Sequence, residues 1–171
     1  MKFIPAIDLK DNKCVRLKKG KDEHTTIFNI DPIGQAKFFE ESGCKRIHIV
    51  DLDGAFGKSD INKDTIINIR RNTNIKIQLG GGIKNENDVL FWINQGIDFL
   101  ILGSLATKNK QFVKDIIKRH NDKIYIAIDV LNKNIMIKGW VEDSKISIDD
   151  MFEFYKHEPI GGFIITDISR D

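Results

Sequence analysis

Several chemistries are excluded by what this chain lacks. Its two cysteines, Cys14 and Cys44, stand far apart with no CxxC spacing, which argues against thiol redox or zinc chemistry; both read as small apolar residues. The four histidines show no HExxH or other ligand spacing, so no metal is expected. No Ser–His or Cys–His arrangement suggests acyl transfer. No stretch of about 18 uncharged apolar residues occurs, which excludes a membrane-spanning helix and gives no membrane partner. Charge of one sign is missing too: 27 Lys and Arg face 25 Asp and Glu, a net of +2. No strongly basic face follows, and no nucleic-acid partner is expected. The opening Met1-Lys2-Phe3-Ile4-Pro5 leads into no long apolar segment, so it is not a signal peptide, and a cytoplasmic location is expected.

The chain has 171 residues, 41% of them hydrophobic. That rules out intrinsic disorder and fits one domain, large enough to hide roughly 70% of its unfolded surface. Short, continuous, β-branched runs lie at 3–7, 46–50, 75–79, 99–102, 124–128 and 163–165. Such runs read as strands buried on both faces. Helical periodicity lies between them. One helix opens at Pro32 behind Asp31 as N-cap. Others span 62–71, 86–94, 111–119 and 148–155, the one at 86–94 closed by Gln95-Gly96 and the last opened by Ser147. Strand–helix alternation predicts a parallel α/β sheet with right-handed crossovers.

An open doubly wound sheet and a closed barrel both fit that order. No GxGxxG follows the first run, so the dinucleotide fingerprint is absent. The chain also repeats itself. Ile4-Pro5-Ala6-Ile7-Asp8-Leu9 resembles Tyr125-Ile126-Ala127-Ile128-Asp129-Val130, with 121 residues from Asp8 to Asp129. Ile49-Val50-Asp51 matches Ile165-Thr166-Asp167 at an offset of 116. A repeat of about 120 residues with four strand–helix units implies a parent of roughly 240, the usual size of a (β/α)8 TIM barrel. The expectation is one partial barrel over 1–171. Its first half-barrel is 1–120, 121–171 begins the second, and about six of eight units are present.

In a parallel barrel, working groups sit at the C-terminal ends of the strands. Asp8 and Asp129 end the first and fifth strands and would face each other across the mouth. One carboxylate can take a proton while the other gives one. Gly80-Gly81-Gly82 follows the third strand and Gly103-Ser104 the fourth. Two such N–H-rich turns side by side suit one phosphate. Asp11-Asn12-Lys13 predicts a turn, so the segment with Arg16 reads as a hairpin over the mouth, where Arg16 would meet an anionic substrate. Trp140, beside Gly139 in the loop after the fifth strand, suits stacking on a flat ring. His48, inside the second strand, reads as a satisfied core residue.

Taken together, PAIDLKDNKCVRLKKG, IHIVDLDGAF, IQLGGGIKNENDV, ILGSLA, IAIDV, KGW and TDISRD resemble the phosphoribosylformimino-aminoimidazole carboxamide ribotide isomerase family of histidine biosynthesis. The related cyclase subunit of imidazole glycerol phosphate synthase shares the barrel but lacks the CVRL and GW pattern. The resemblance implies an Amadori rearrangement of a bisphosphorylated aminoaldose to an aminoketose without a cofactor. Asp8 matches the family's general base and Asp129 its general acid. Thr166 matches a supporting hydroxyl and Asp171 another acidic residue of the mouth. Gly81, Gly82, Gly103 and Ser104 match a phosphate site, Arg16 a substrate-contacting cation, and Trp140 an imidazole-stacking residue. The family continues through two more strands with a second glycine-rich phosphate site. The resemblance therefore implies a C-terminally truncated chain with little activity alone, and exposed sheet edges through which it can associate with other copies. The alternatives are the cyclase, an isomerase that also accepts phosphoribosyl anthranilate, and an inactive partial barrel that binds a phosphorylated ligand.

Overall fold

A parallel six-stranded path, β1-β4-β5-β6-β7-β10, organises the molecule. The computed structural model describes residues 3–18, 21–58, 60–132, 134–137 and 140–170. The six strands are β1 (Ala6–Lys10), β4 (Arg46–Asp51), β5 (Lys76–Gly80), β6 (Phe99–Leu102), β7 (Ile124–Leu131) and β10 (Gly162–Asp167). Two antiparallel extensions flank the path. On one side lie β2 (Lys13–Lys18) and β3 (Lys21–Asn29), and on the other β8 (Asn134–Ile137) and β9 (Glu142–Asp143). Between strands run α1 (Pro32–Glu41), α2 (Leu52–Ala55), α3 (Lys63–Asn72), α4 (Glu86–Asn94), α5 (Ser104–Lys108), α6 (Lys110–Arg119) and α7 (Ile148–Tyr155), and a 3-10 turn (Ile168–Arg170) follows β10.

Helix starts follow local chemistry. Asp31 accepts a hydrogen bond from the Gly34 amide at 2.9 Å, with Pro32 in the first turn. Asn85 and Asp88 form a reciprocal capping box on α4, and Ser147 caps α7 through the Asp150 amide. These bonds satisfy amides that an α-helix leaves unpaired at its start. No helix of the described residues is long and apolar enough to cross a membrane.

The core lies between the sheet and its helices. Ile7, Ile47, Ile77, Leu100 and Ile126 present one face of the sheet to Ile66, Val113, Ile117 and Met151, all buried. The central strands β5 and β6 are buried on both faces, as their apolar runs suggest, but the others are not. Burial alternates along β1, β4 and β7, where helices cover one face and the other is only partly covered. The first strand also begins later than its apolar run: Phe3 is 77% exposed and precedes Ala6–Lys10. A residue early in an apolar run has no reason to be a strand unless a neighbour pairs with it, and β4 meets β1 from Ala6 onward.

On the other face, the strand N-terminal ends carry a polar–aromatic layer. The Arg46 guanidinium donates to Tyr125 Oη at 2.9 Å and stacks 3.9 Å from the Phe99 ring centre. Gln78 accepts from Arg46 at 3.4 Å and bonds His48 Nδ1 through Nε2 at 2.9 Å. His48 is thus a satisfied interior histidine. Burial lowers its pKa from 6.5 to about 4. The folded protein therefore resists binding a proton that the unfolded chain accepts below pH 6.5, and stability falls as pH drops from there toward 4. The loss is expected to reach about 2 kcal/mol, less than the full shift implies because the ring keeps some solvent. Urea melts between pH 7 and 4 check this: His48→Gln flattens the slope, and an unchanged slope would contradict it.

Candidate active site

Strand register brings the two sequence-matched aspartates to one face. Along β1–β4–β5 the paired residues are Asp8, Val50 and Gly80, and on β7–β10 Asp129 pairs Thr166. Neighbours in register on parallel strands point to the same side of a sheet. Tyr125, on the same side of β7 as Asp129, joins the Arg46–Gln78 layer from β4 and β5, which ties both halves of the sheet to one face. Asp8 and Asp129 thus sit at the C-terminal ends of strands separated by β4, β5 and β6. Both are half-buried.

The repeat is present in the hydrogen bonding as well as in the letters. Asp8, Leu9 and Lys10 pair with Val15, Cys14 and Lys13. Asp129, Val130 and Leu131 pair with Met136, Ile135 and Asn134. Every position is shifted by 121 residues. Asp8 lies beside Val50 as Asp129 lies beside Thr166. The first hairpin turns through Asp11 and Asn12, at φ 48° and 62°, and the second has Asn132 at φ 50° in the place of Asp11. Two successive left-handed residues make the tight turn that suits a twisted hairpin.

Arg16 follows Val15 on β2, exposed and paired with Thr26 of β3. Trp140 is half-buried at φ 71°, a left-handed backbone uncommon for a bulky residue. Its neighbours Lys138 and Gly139, and Asp171, lie outside the described residues. Burial, with Asp31 and Asp8 nearby, pushes the Cys14 thiol up to about 11, so it stays protonated at neutral pH and acts as packing.

The glycine turns differ from each other. Gly81 and Gly82 have φ of 94° and 72°. A Cβ on Gly81 would collide with the Asp51 carbonyl oxygen, and one on Gly82 would lie 2.8 Å from Gly54 Cα. Their small size is spent on close approach to α2. At Gly103 a Cβ would meet only Ala127 Cβ at 3.7 Å, an ordinary contact. Gly103 precedes Ser104 at the start of α5, and both stand at the C-terminal end of β6, next to the turn after β5. The two turns are therefore neighbours at one sheet edge.

Sequence reasoning missed a buried cluster behind the first hairpin. Asp51, Asp53 and Asn62 are 3%, 2% and 0% exposed. Asn62 Nδ2 donates to Asp51 Oδ1 at 2.7 Å, Asp53 Oδ2 at 3.0 Å and the Leu9 carbonyl at 3.2 Å. The Asp11 amide donates to Asp53 at 2.7 Å and the Asn12 amide to Asn62 Oδ1 at 2.8 Å. Burial raises the Asp51 pKa, against the lowering effect of its bonds from Asn62 and the Gly54 amide. The available signal was two acids within three residues at the end of an apolar strand.

Comparison with known proteins adds a separate finding. The family model for histidine biosynthesis proteins matches residues 2–171. A protein of Bacillus pumilus, named 1-(5-phosphoribosyl)-5-((5-phosphoribosylamino)methylideneamino) imidazole-4-carboxamide isomerase, is 41% identical over 169 residues, 99% of this chain and 69% of its own length. Proteins of the same name from Campylobacter fetus and Bacillus subtilis are 42% and 39% identical, and the match covers 72% and 69% of their lengths.

Proposed function

The chain belongs to the histidine biosynthesis protein family, and from that membership we propose that it isomerises a bisphosphorylated aminoaldose to the aminoketose with Asp8 and Asp129 as its acid–base pair. The observation that carries this assignment is their placement on one face at equivalent repeat positions with the same hairpin register. The same register supports division of the chain near residue 120 into two related halves of a (β/α)8 design.

The relatives' name contains two phosphoribosyl groups, so the substrate offers a phosphate at each end. Asp129, protonated, gives its proton to the ribose ring oxygen as the C1–O bond breaks. The nitrogen lone pair then forms the C1=N iminium. Asp8 takes the C2 proton, and the C2–H electrons make the C1=C2 bond while the iminium electrons return to nitrogen. Proton delivery to C1 and loss of the C2 hydroxyl proton give the ketone. The iminium is the electron sink, so no cofactor enters the balance.

Thr166 stands in register beside Asp129, where its hydroxyl can orient the acid. The amides around Gly81–Gly82 and Gly103–Ser104 suit one phosphate; the openness at Gly103 supports this, because protein packing does not require a glycine there. Arg16 would meet the anionic substrate and Trp140 would stack on the imidazole, as the family resemblance implies; Asp171 lies outside the described residues. In a form extended to the full length of its relatives, turnover of the histidine-pathway aminoaldose, assayed beside phosphoribosyl anthranilate and ammonia-dependent cyclisation, tests the proposal. Isomerisation of the first is expected. Cyclisation alone, or phosphate binding with no turnover of either aldose, would contradict it.

A further inference from the structure

The short α2 turn is a seat shared by two parts of the mouth that are distant in sequence. From one side it takes the first hairpin: Asp53 accepts the Asp11 amide, and Asn62, bonded to both Asp51 and Asp53, accepts the Asn12 amide and donates to the Leu9 carbonyl. Three backbone groups within four residues of Asp8 are gripped in this way. From the other side it takes the glycine turn, since Gly81 packs on the Asp51 carbonyl and Gly82 on Gly54. Asp51 also accepts the Gly54 amide at 2.9 Å, which fixes the backbone of the seat itself. Thr65, from the first turn of α3, donates to Asn12 Oδ1 at 2.6 Å and closes the turn from outside. Among the described residues no buried side-chain polar atom lacks a partner. Such a saturated network holds one geometry, because any shift leaves a buried charge or amide unpaired.

We infer that Asp53 and Asn62 are positioning residues, which hold Asp8 at a set distance from the Gly81–Gly82 turn through the Asp51–Gly54 backbone. This rests on the assignments of Asp8 and the glycine turn made above. Both side chains are buried and bonded to the hairpin backbone and to each other, so they act through that backbone. Their effect is geometric: a phosphate held at the glycine turn places C2 within reach of Asp8 only if hairpin and turn keep their spacing. A small misplacement of a reacting group costs rate much more than binding.

The test uses Asp53→Ala in the form extended to its relatives' full length, with Asp53→Asn as the conservative variant. Asp53→Ala is expected to lower kcat about tenfold or more while KM changes less than about threefold. Asp53→Asn keeps an oxygen to accept the Asp11 amide and is expected to restore kcat to within about threefold. In an Asp8→Asn background, Asp53→Ala is expected to cost less than about twofold further, because residues that act through one another are not additive. Amide hydrogen exchange reads the same coupling without turnover. In Asp53→Ala the Asp11, Asn12, Gly81 and Gly82 amides are expected to exchange about tenfold faster together, while Ile126 and Ile128 stay unchanged. Parent-like kcat in Asp53→Ala, full additivity with Asp8→Asn, or exchange that rises at every amide alike or only at Asp11 and Asn12 would overturn the inference. Parent-like kcat in Asp8→Asn alone would instead overturn the assignment of Asp8, and amide exchange would still decide whether the seat couples hairpin and turn.

Discussion

In the form extended to its relatives' full length, Asp8→Asn and Asp129→Asn are each expected to lower kcat by about a hundredfold to ten-thousandfold, with KM changed by only a few-fold. The carboxamide keeps the volume and a hydrogen-bonding oxygen, so the hairpin register and the half-buried packing survive. It can neither take the C2 proton nor deliver one to the ring oxygen. Neither aspartate can replace the other, since three strands stand between them. The losses should also separate by step. Without Asp8 the opened iminium forms but C2 keeps its hydrogen; without Asp129 ring opening itself is slow. Steady-state assays with matched thermal melts check the prediction. A variant with intact folding and near-parent kcat would remove that residue from the acid–base pair.

Gly81→Ala is expected to lose about 3 kcal/mol or more of folding stability, by two effects that act together. The residue sits at φ 94°, where a side chain strains the backbone. Its Cβ would also collide with the Asp51 carbonyl oxygen, a backbone atom with no rotamer into which to retreat. Gly103→Ala supplies the contrast. Its Cβ would have only an ordinary contact with Ala127, so stability is expected to change by less than about 1 kcal/mol. If the turn cradles phosphate, KM for the aminoaldose still rises. Urea unfolding of the two variants, followed by assay of Gly103→Ala, checks both statements. Equal stability loss in the two would contradict the distinction drawn between a glycine needed for packing and one left open.

How much of this was legible in the chain depended on the range of the interaction. Features set by neighbours in sequence were readable: Asp31 and Ser147 as caps, Gly96 as a stop at φ 83°, and Asp11-Asn12 as a turn. The helices at 86–94 and 148–155 match the structure at both ends. The repeat carried Asp8 and Asp129 to one face because strand parity follows from counting residues. Features set by distant partners were not. Asn62 reads as the first residue of a helix, yet its side chain makes no cap bond and reaches Leu9, Asp51 and Asp53 instead. Gly81 and Gly82 suggested a ligand, and only the fold shows that their missing side chains also leave room for α2. Short α5 was hidden because Ser104–Lys108 is too brief to show a period. The apolar run at 3–7 misplaced β1, since hydrophobicity says nothing about where a neighbouring strand begins to pair.

The central claim is that Asp8 moves the C2 proton and Asp129 acts at the ring oxygen of one substrate. Reaction in D2O, with hydrogen at C2 of the aminoaldose followed by NMR, tests it most directly. The account expects the C2 hydrogen to leave and solvent deuterium to appear at C1 of the aminoketose in the parent protein. Supplied with substrate whose ring is already open, Asp129→Asn should still lose the C2 hydrogen, and Asp8→Asn should retain it. Retention of the C2 hydrogen in the parent's product, or its loss at the parent rate in Asp8→Asn, would contradict the account.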